Sequence, residues 1–147
     1  MTSIDTLRRL FWGAAVATLC VSPMADIVEK SGAAPGATYL SGGVGEEEMK
    51  EIRGMRSDYN TRFEFSEQVA GQGRNQWTSG VDFQIKSGDQ IVVQDKTDGP
   101  VLMLNLDPGT YEIEANYGGE TKTKRFEVRE GRTSDHHMSW RNMSSDK

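Results

Sequence analysis

Residues 110–128, TYEIEANYGGETKTKRFEV, alternate apolar with polar side chains on both sides of a glycine pair. Tyr111 and Ile113 stand two positions apart, which is the spacing of side chains on one face of a β-strand. Gly118 and Gly119 suit a two-residue hairpin turn, because both central residues of such a turn need φ above zero. The stretch therefore predicts two antiparallel strands, each with one face in a core and the other toward solvent.

Segments with the same two-residue period, or with a short apolar run, occur elsewhere along the chain. Turn signals, among them Asp107-Pro108-Gly109, separate these segments at intervals of about 8 to 12 residues. Seven short strands at this spacing predict a mainly β protein, a seven-stranded antiparallel β-sandwich. The five further predicted strands cover residues 59–65, 77–85, 91–93, 101–106 and 133–140.

Residues 45–57, GEEEMKEIRGMRS, predict one short helix before the strands. Three glutamates begin the segment and basic residues end it, which is the charge order that the helix dipole favours. Met49, Ile52 and Met55 recur every three residues and predict a single apolar stripe that packs against the domain.

The first 25 residues have the features of a secretory signal peptide. Arg8 and Arg9 precede the apolar run LFWGAAVATLCV at 10–21, and small residues follow the run. About a dozen apolar residues are fewer than the roughly 20 needed to span a bilayer. We therefore expect a periplasmic or secreted protein, cleaved after Ala25 or after Cys20. An uncleaved N-terminal anchor is the alternative.

Composition divides the expected mature chain into an arm, one domain and a tail. Residues 26–43 are rich in glycine, alanine, serine and proline and predict a flexible arm, from which Tyr39 and Leu40 can pack onto the domain. Residues 44–141 would hold the helix and the sandwich, and residues 142–147 the tail. The only cysteine leaves with the signal, so the domain would depend on core packing rather than on a disulfide.

The overall composition limits the classes of function. The chain has 147 residues, of which 35% are hydrophobic and 27% charged, and its formal net charge is -5. These values are typical of one soluble folded domain. An acidic chain without a dense Lys/Arg cluster excludes a general nucleic-acid binder, because phosphate contacts need positive charge. No membrane span is expected once the signal has been cleaved.

The segment at 99–131 resembles the carboxypeptidase regulatory-like domain family, whose members are prealbumin-like sandwiches. The likeness rests on DPGTYEI at 107–113, YGG at 117–119 and FEVREG at 126–131. The wider chain, with SGGVGEEE at 41–48 before the helix, is similar to small secreted proteins of Gram-negative bacteria that carry this one domain. The resemblance implies a fold, and a role as a spacer, binder or accessory module rather than one set activity.

The resemblance raises the question of enzyme activity, but the sequence lacks the motifs that such activity would need. It contains no H-x-x-E or H-E-x-x-H zinc motif and no G-x-S-x-G nucleophile motif. Glu112 and Glu114 lie on one strand face, where we expect solvated carboxylates. The sequence therefore predicts a non-catalytic module without a cofactor, which binds a protein or glycan partner in the periplasm or envelope. Inhibition of an envelope enzyme is a further alternative.

The loop at 72–77 is the predicted contact surface for such a partner. Arg74 supplies hydrogen-bond donors there, and Trp77 supplies an aromatic ring for stacking. The alternative for Trp77 is a place in the core of the domain.

Periplasmic copper binding through His136, His137 and Met138 is the alternative function. Imidazole nitrogen and thioether sulfur both suit copper ions. In a strand, His136 and Met138 share one face and His137 takes the other, so a further ligand such as Met103 or Met143 would be needed. Without a metal, Met138 would anchor the last strand in the core, and the histidines would lie at its edge.

Overall fold

The computed structural model describes residues 27–142, which form two β-sheets, one α-helix and a 3₁₀ turn at Arg56–Asp58. No helix in this part of the chain is long and apolar enough to cross a membrane. The predicted signal segment at 1–25 and most of the predicted tail lie outside the described residues. The elements are β1 Lys30–Ser31, β2 Thr38–Gly42, α1 Glu46–Gly54, β3 Thr61–Val69, β4 Asn75–Trp77, β5 Asp82–Ser87, β6 Gln90–Lys96, β7 Val101–Asn105, β8 Gly109–Tyr117, β9 Glu120–Val128 and β10 Ser134–Asn142.

The six-stranded sheet is organised around β3, which has neighbours on both of its edges. β10 runs parallel to β3 along its full length, from Ser134 opposite Thr61 to Asn142 opposite Val69. On the other edge, β7 pairs with the first half of β3, and β4 pairs with residues 66–68. β2 and β1 continue the sheet beyond β7, so β10 and β1 are its outermost strands.

The four-stranded sheet has the order β6-β5-β8-β9 and contains the predicted hairpin. Tyr111 lies opposite Phe126, and Gly118 and Gly119 have φ values of 59° and 82°. The Tyr111 hydroxyl donates a hydrogen bond of 2.6 Å to the carbonyl oxygen of Asp107, which fixes the turn before β8. The prediction of this hairpin from residues 110–128 is confirmed.

Apolar side chains from both sheets meet in one core. Phe63 of β3 packs edge-on against Phe126 of β9, with ring centroids 5.1 Å apart. Tyr39 of β2 packs in the same way against Phe83 of β5, at 6.1 Å. Because the contacting rings belong to different sheets, the sheets pack face to face and remove their apolar surfaces from water. The predicted mainly β, sandwich-like architecture is confirmed at this level.

A second apolar cluster lies between α1 and the outer surface of the six-stranded sheet. Ile52 of the helix packs with Leu40 of β2 and Met103 of β7, while Met49 and Met55 pack at the margin of the cluster. The helix and its apolar stripe are therefore present as predicted. The stripe covers the part of the sheet built from β2 and β7.

The segment at 26–43, predicted as a flexible arm, instead contributes β1 and β2 to the six-stranded sheet. Tyr39 enters the core between the sheets, whereas Leu40 is covered by α1 on the opposite face. Both residues pack onto the domain as expected, but the prediction of a flexible arm is wrong for this part. A strand with both faces covered lacks the apolar–polar alternation by which a sequence indicates a strand.

Polar contacts fasten β1 and β2 to β6 of the other sheet. Asp95 accepts hydrogen bonds from the Tyr39 hydroxyl at 2.7 Å and from the Lys30 ammonium at 3.1 Å. Burial disfavours the ionised form of Asp95, but these hydrogen bonds and one from the backbone N–H of Lys96 outweigh it and lower its pKa. Burial, together with the neighbouring carboxylate, raises the pKa of Tyr39 to about 12. The contacts hold the two sheets together along this edge.

The described residues form ten strands rather than seven. Seven of them correspond to the predicted strands, and β1, β2 and β4 are additional. The prediction of a wholly antiparallel arrangement is also wrong, because β10 runs parallel to β3. The last strand reaches Asn142, one residue beyond the predicted domain boundary. Side-chain period indicates which face of a strand is buried, but it carries no information on the direction of the neighbouring strand.

Candidate functional site

The outer surface of the six-stranded sheet has a part that α1 does not cover. There, Ser66 of β3 lies opposite Trp77 of β4 on one side and opposite Ser139 of β10 on the other. Paired residues of neighbouring strands project to the same face, as do alternate residues of one strand. Glu64 and His137 therefore share this face with them. We call the surface formed by Glu64, Ser66, Trp77, His137 and Ser139 the open face.

Trp77 projects from the open face into solvent. Trp77 is 55% exposed, whereas Trp140 in the core is 2% exposed. β4 follows a turn in which Gly71 and Gly73 have φ values of 85° and 60°, a conformation that glycine adopts without steric cost. The short hairpin thus holds Trp77 opposite Ser66, on the outside of the sheet.

Arg74 lies in the turn between β3 and β4, and its side chain is exposed. The structure therefore places both predicted contact residues at the surface of one hairpin. The alternative that put Trp77 in the core is wrong. Residues 75 and 76, predicted as part of a loop, form β4 together with Trp77. That Arg74 and Trp77 contact a partner stays a prediction.

A hydrogen bond of 2.8 Å joins Ser66 Oγ and His137 Nε2 on the open face. A serine and a base at this distance are two of the groups that nucleophilic hydrolysis uses. Ser66, however, is only 2% exposed, so a substrate carbonyl cannot reach its oxygen without a rearrangement of the surface. His137 is exposed. The hydrogen bond therefore orients the imidazole of His137 toward Ser66, the residue that lies opposite Trp77.

Sequence analysis did not find the pairing of Ser66 with His137. The two residues stand 71 positions apart, and neither lies in a motif that marks a nucleophile or a base. Only the parallel register of β10 on β3 brings them together. Without knowledge of that register, no signal in the sequence could have joined them.

Two ion pairs lie on the part of this surface nearest the 3₁₀ turn. Glu64 pairs with Arg62, its neighbour two positions back on β3. Asp135 of β10 pairs with Arg56 of the 3₁₀ turn, with 2.8 Å between the charged atoms. The open face and the surface next to it therefore carry charged groups that donate and accept hydrogen bonds.

His136 points away from the open face and packs at the margin of the core. Its ring centroid lies 4.9 Å from that of Phe63 and 5.4 Å from that of Phe126. Burial lowers the pKa of His136, and the positive charge of Lys124 lowers it further. The Nε2 atom shares a hydrogen bond of 3.2 Å with Ser134 Oγ. These surroundings favour a neutral ring with a packing role.

The predicted copper ligands do not converge on one point. Met138 is 6% exposed and lies in the core, on the same side of β10 as His136, whereas His137 lies on the open face. Met103 belongs to the cluster beneath α1, and Met143 lies outside the described residues. Across residues 27–142, no three His, Cys, Asp or Glu side chains are grouped to hold a metal ion. Copper binding stays a prediction.

Two shallow hollows lie elsewhere on the surface. One, of about 420 Å³, lies over the four-stranded sheet and is lined mainly by polar side chains, including Asp82, Gln84 and Glu114. The other, of about 380 Å³, lies between the chain before β3 and the turn between β9 and β10. Neither is lined by a histidine or by one of the large exposed apolar side chains. The open face is therefore the stronger candidate for a functional surface.

Together, these features define a mainly β protein of two packed sheets that displays an exposed indole, that of Trp77, on a polar strand surface. No protein-family model and no curated protein sequence matches the chain. The resemblance to carboxypeptidase regulatory-like domains therefore stays a prediction.

Proposed function

We propose that the chain is a non-catalytic, exported β-sandwich module that binds a glycan of the cell envelope through the open face. One observation carries the proposal: Trp77 is 55% exposed on a strand surface, opposite Ser66, whose hydroxyl is hydrogen-bonded to an exposed imidazole. The proposal narrows the expected partner, a protein or a glycan, to the second of these classes.

The chemistry of the open face suits a sugar ring. A pyranose presents C–H groups on its faces and hydroxyl groups around its rim. The face of an indole carries partial negative charge and attracts such C–H groups. His137, Glu64 and Ser139 can donate or accept hydrogen bonds at the rim. Stacking and rim hydrogen bonds would then act together on one ligand.

The distribution of exposed apolar groups favours a glycan over a protein partner. The large exposed apolar side chains in the described part of the chain are Trp77, Val28, Val44 and Ile91, and they belong to four different segments. Protein interfaces place clustered aromatic and aliphatic anchors in a desolvated centre. A lone ring among polar groups does not provide such a centre, whereas it is enough to stack on one sugar.

The remaining parts of the proposal rest on the sequence and on two features of the structure. The signal-like residues 1–25 support export, and the motifs at 99–131 support a prealbumin-like member of the carboxypeptidase regulatory-like family. The burial of Ser66 and the dispersion of the histidines support a role without catalysis. Cell fractionation, with the processed N-terminus determined by mass spectrometry, tests the exported location.

The test of the binding site compares three single variants on a panel of immobilised oligosaccharides, both neutral and acidic. Trp77→Ala removes the ring and should weaken binding at least about tenfold, which corresponds to about 1.4 kcal/mol. Trp77→Phe keeps an aromatic face and should retain part of the affinity. Ile91→Ala removes an exposed apolar side chain on the other sheet and should leave binding unchanged.

Arg74 allows the ligand class to be narrowed in the same experiment. Its guanidinium pairs well with carboxylate or phosphate groups. We expect Arg74→Ala to weaken binding of acidic glycans more than binding of neutral ones.

The proposal fails if no glycan of the panel binds, or if Trp77→Ala binds as well as the unchanged chain. A partner protein whose capture depends on Trp77 would assign the open face to the other class of ligand.

A further inference from the structure

β10 forms a nine-residue outer edge of the six-stranded sheet, with β3 as its only strand neighbour among the described residues. The backbone N–H of Ser134 donates to the carbonyl of Asn60, at the start of the ladder with β3. In a parallel ladder, alternate residues direct both backbone groups toward the neighbour, and the residues between them direct both groups away. The backbone groups of Asp135, His137, Ser139 and Arg141 therefore point outward.

The contact from Lys122 agrees with this assignment. Its ammonium group, on β9 of the other sheet, donates a hydrogen bond of 2.5 Å to the carbonyl oxygen of Ser139. A carbonyl that was bonded to β3 would not be directed to that side. The outward row is thus available to a further strand, and the carbonyl of Ser139 has a second lone pair for it.

The two outer strands on this side of the molecule differ in charge. β9 carries three cations, Lys122, Lys124 and Arg125, besides Glu120 and Glu127, and such charged side chains discourage pairing between copies of an edge strand. β10 carries instead one anion and one cation, Asp135 and Arg141, at equal distances from Met138. A strand with this symmetry complements an antiparallel copy of itself.

We propose that two copies of the chain pair antiparallel through β10, about a two-fold axis at Met138. Asp135 then lies opposite Arg141 of the partner subunit, and His137 opposite Ser139 of the partner subunit. All of these positions have outward backbone groups, so they form the hydrogen-bonded pairs of an antiparallel ladder. Asp135 also keeps its contact with Arg56, because a carboxylate accepts several donors.

The charges select this register among the neighbouring ones. A shift by one step of the ladder places either His137 or Ser139 opposite itself and separates Asp135 from Arg141. The register centred on Met138 is also the one that pairs the full length of the strand. Isologous contact of this kind closes as a dimer and leaves no outer β10 edge for further copies.

The pairing has a geometric consequence for the open face. The axis is perpendicular to the sheet, so the open faces of both subunits look in the same direction. The two Trp77 side chains stand five strand spacings apart, about 24 Å. The proposal does not depend on the ligand of the open face, since the edge of β10 alone carries it.

Sedimentation equilibrium on the chain as recovered from cells tests the proposal. We expect a dimer in the micromolar range. Arg141→Asp places like charges opposite each other and should raise the dissociation constant at least about tenfold. Exchange of both charges, Asp135→Arg with Arg141→Asp, should restore the dimer. Arg132→Asp makes the same change of charge in the turn before β10 and should have no effect.

A second variant tests the backbone contact independently of charge. Ser139→Pro removes an N–H group that points away from β3, and proline is tolerated in this position on an edge strand. We expect the thermal unfolding of the monomer to change little and the dimer to be lost. Amide exchange at positions 135, 137, 139 and 141 should slow as the protein concentration rises. A monomer at 100 µM or above, or a dimer that survives both Arg141→Asp and Ser139→Pro, would overturn the proposal.

Discussion

The imidazole of His136 lies against the ring of Phe63, with centroids 4.9 Å apart and planes inclined by 26°. Burial there lowers the pKa of His136 below its ordinary value of about 6.5. Between pH 6.5 and the lower pKa of the folded chain, the unfolded chain binds more protons than the folded one. The contribution of His136 to stability is therefore complete above pH 6.5 and is lost as the pH falls below it.

This relationship predicts a pH dependence of stability that one substitution reduces. The positive charge of Lys124 opposes protonation of His136, and the negative charge of Asp135 partly offsets that effect. We expect the urea midpoint to fall between pH 7.5 and 5.5, and to fall less in His136→Phe, which keeps an aromatic ring. Equal slopes in the unchanged chain and in His136→Phe would contradict the prediction.

The two tryptophans of the described chain provide a matched pair for stability. Trp140 is 2% exposed, and its indole N–H donates a hydrogen bond of 3.0 Å to the carbonyl of Glu120. Trp140→Ala should lower the free energy of unfolding by about 3–5 kcal/mol, because it leaves a cavity and removes this hydrogen bond. Trp77→Ala should change it by less than about 0.5 kcal/mol, since that ring is largely in solvent. Chemical denaturation that finds similar losses for both would contradict the burial described above.

The hydrogen bonds of Asp95 predict that its substitution destabilises the first two strands locally. Asp95→Asn weakens the hydrogen bonds from Tyr39 and Lys30 and should cost about 1 kcal/mol, since the site is partly exposed to solvent. Hydrogen exchange should accelerate at β1 and β2 more than at β8. Asp89→Asn, in the exposed turn between β5 and β6, is the control and should leave both measurements unchanged. Uniform acceleration over all strands would show that Asp95 has no special role at this edge.

Two glycines should respond in opposite directions to the same substitution. A Cβ at Gly99 would lie 2.2 Å from the carbonyl oxygen of Gly42, whereas a Cβ at Gly54 in the last turn of α1 would meet nothing within 4 Å. Gly99→Ala should therefore destabilise the protein by about 1–3 kcal/mol through backbone displacement. Gly54→Ala should stabilise it by up to about 1 kcal/mol through helix propensity. Thermal unfolding of both variants decides whether β2 and the chain before β7 approach as closely as described.

Period-two alternation was sufficient to predict the strands that have one polar face. The hairpin of β8 and β9 is the best example, because Tyr111 and Ile113 face the core while Glu112 and Glu114 face out. β2 was not predicted, because Tyr39 and Leu40 are buried on opposite faces and the strand therefore lacks an alternation of apolar and polar residues. The parallel placement of β10 beside β3 was not predicted either, since the choice of a pairing partner depends on contacts across the whole chain.

The candidate site was predictable only in part. Trp77 and Arg74 were predicted as contact residues because an aromatic ring and a cation in a polar segment are typical of a binding surface. The opposite orientations of His136 and His137 follow from strand geometry and were expected. The hydrogen bond between His137 and Ser66 was not, because it depends on the register of two strands from distant parts of the sequence.

The parallel ladder between β3 and β10 also limits when the chain can complete its folding. The edge of β3 that pairs with β10 stays unpaired until the final described residues have been synthesised. The apolar face of the six-stranded sheet therefore stays incomplete while the rest of the protein emerges. Pairings of such large sequence separation slow folding, because the intervening chain must first be brought together. A truncation a few residues before Asn142 should therefore yield a chain that chaperones retain and proteases degrade.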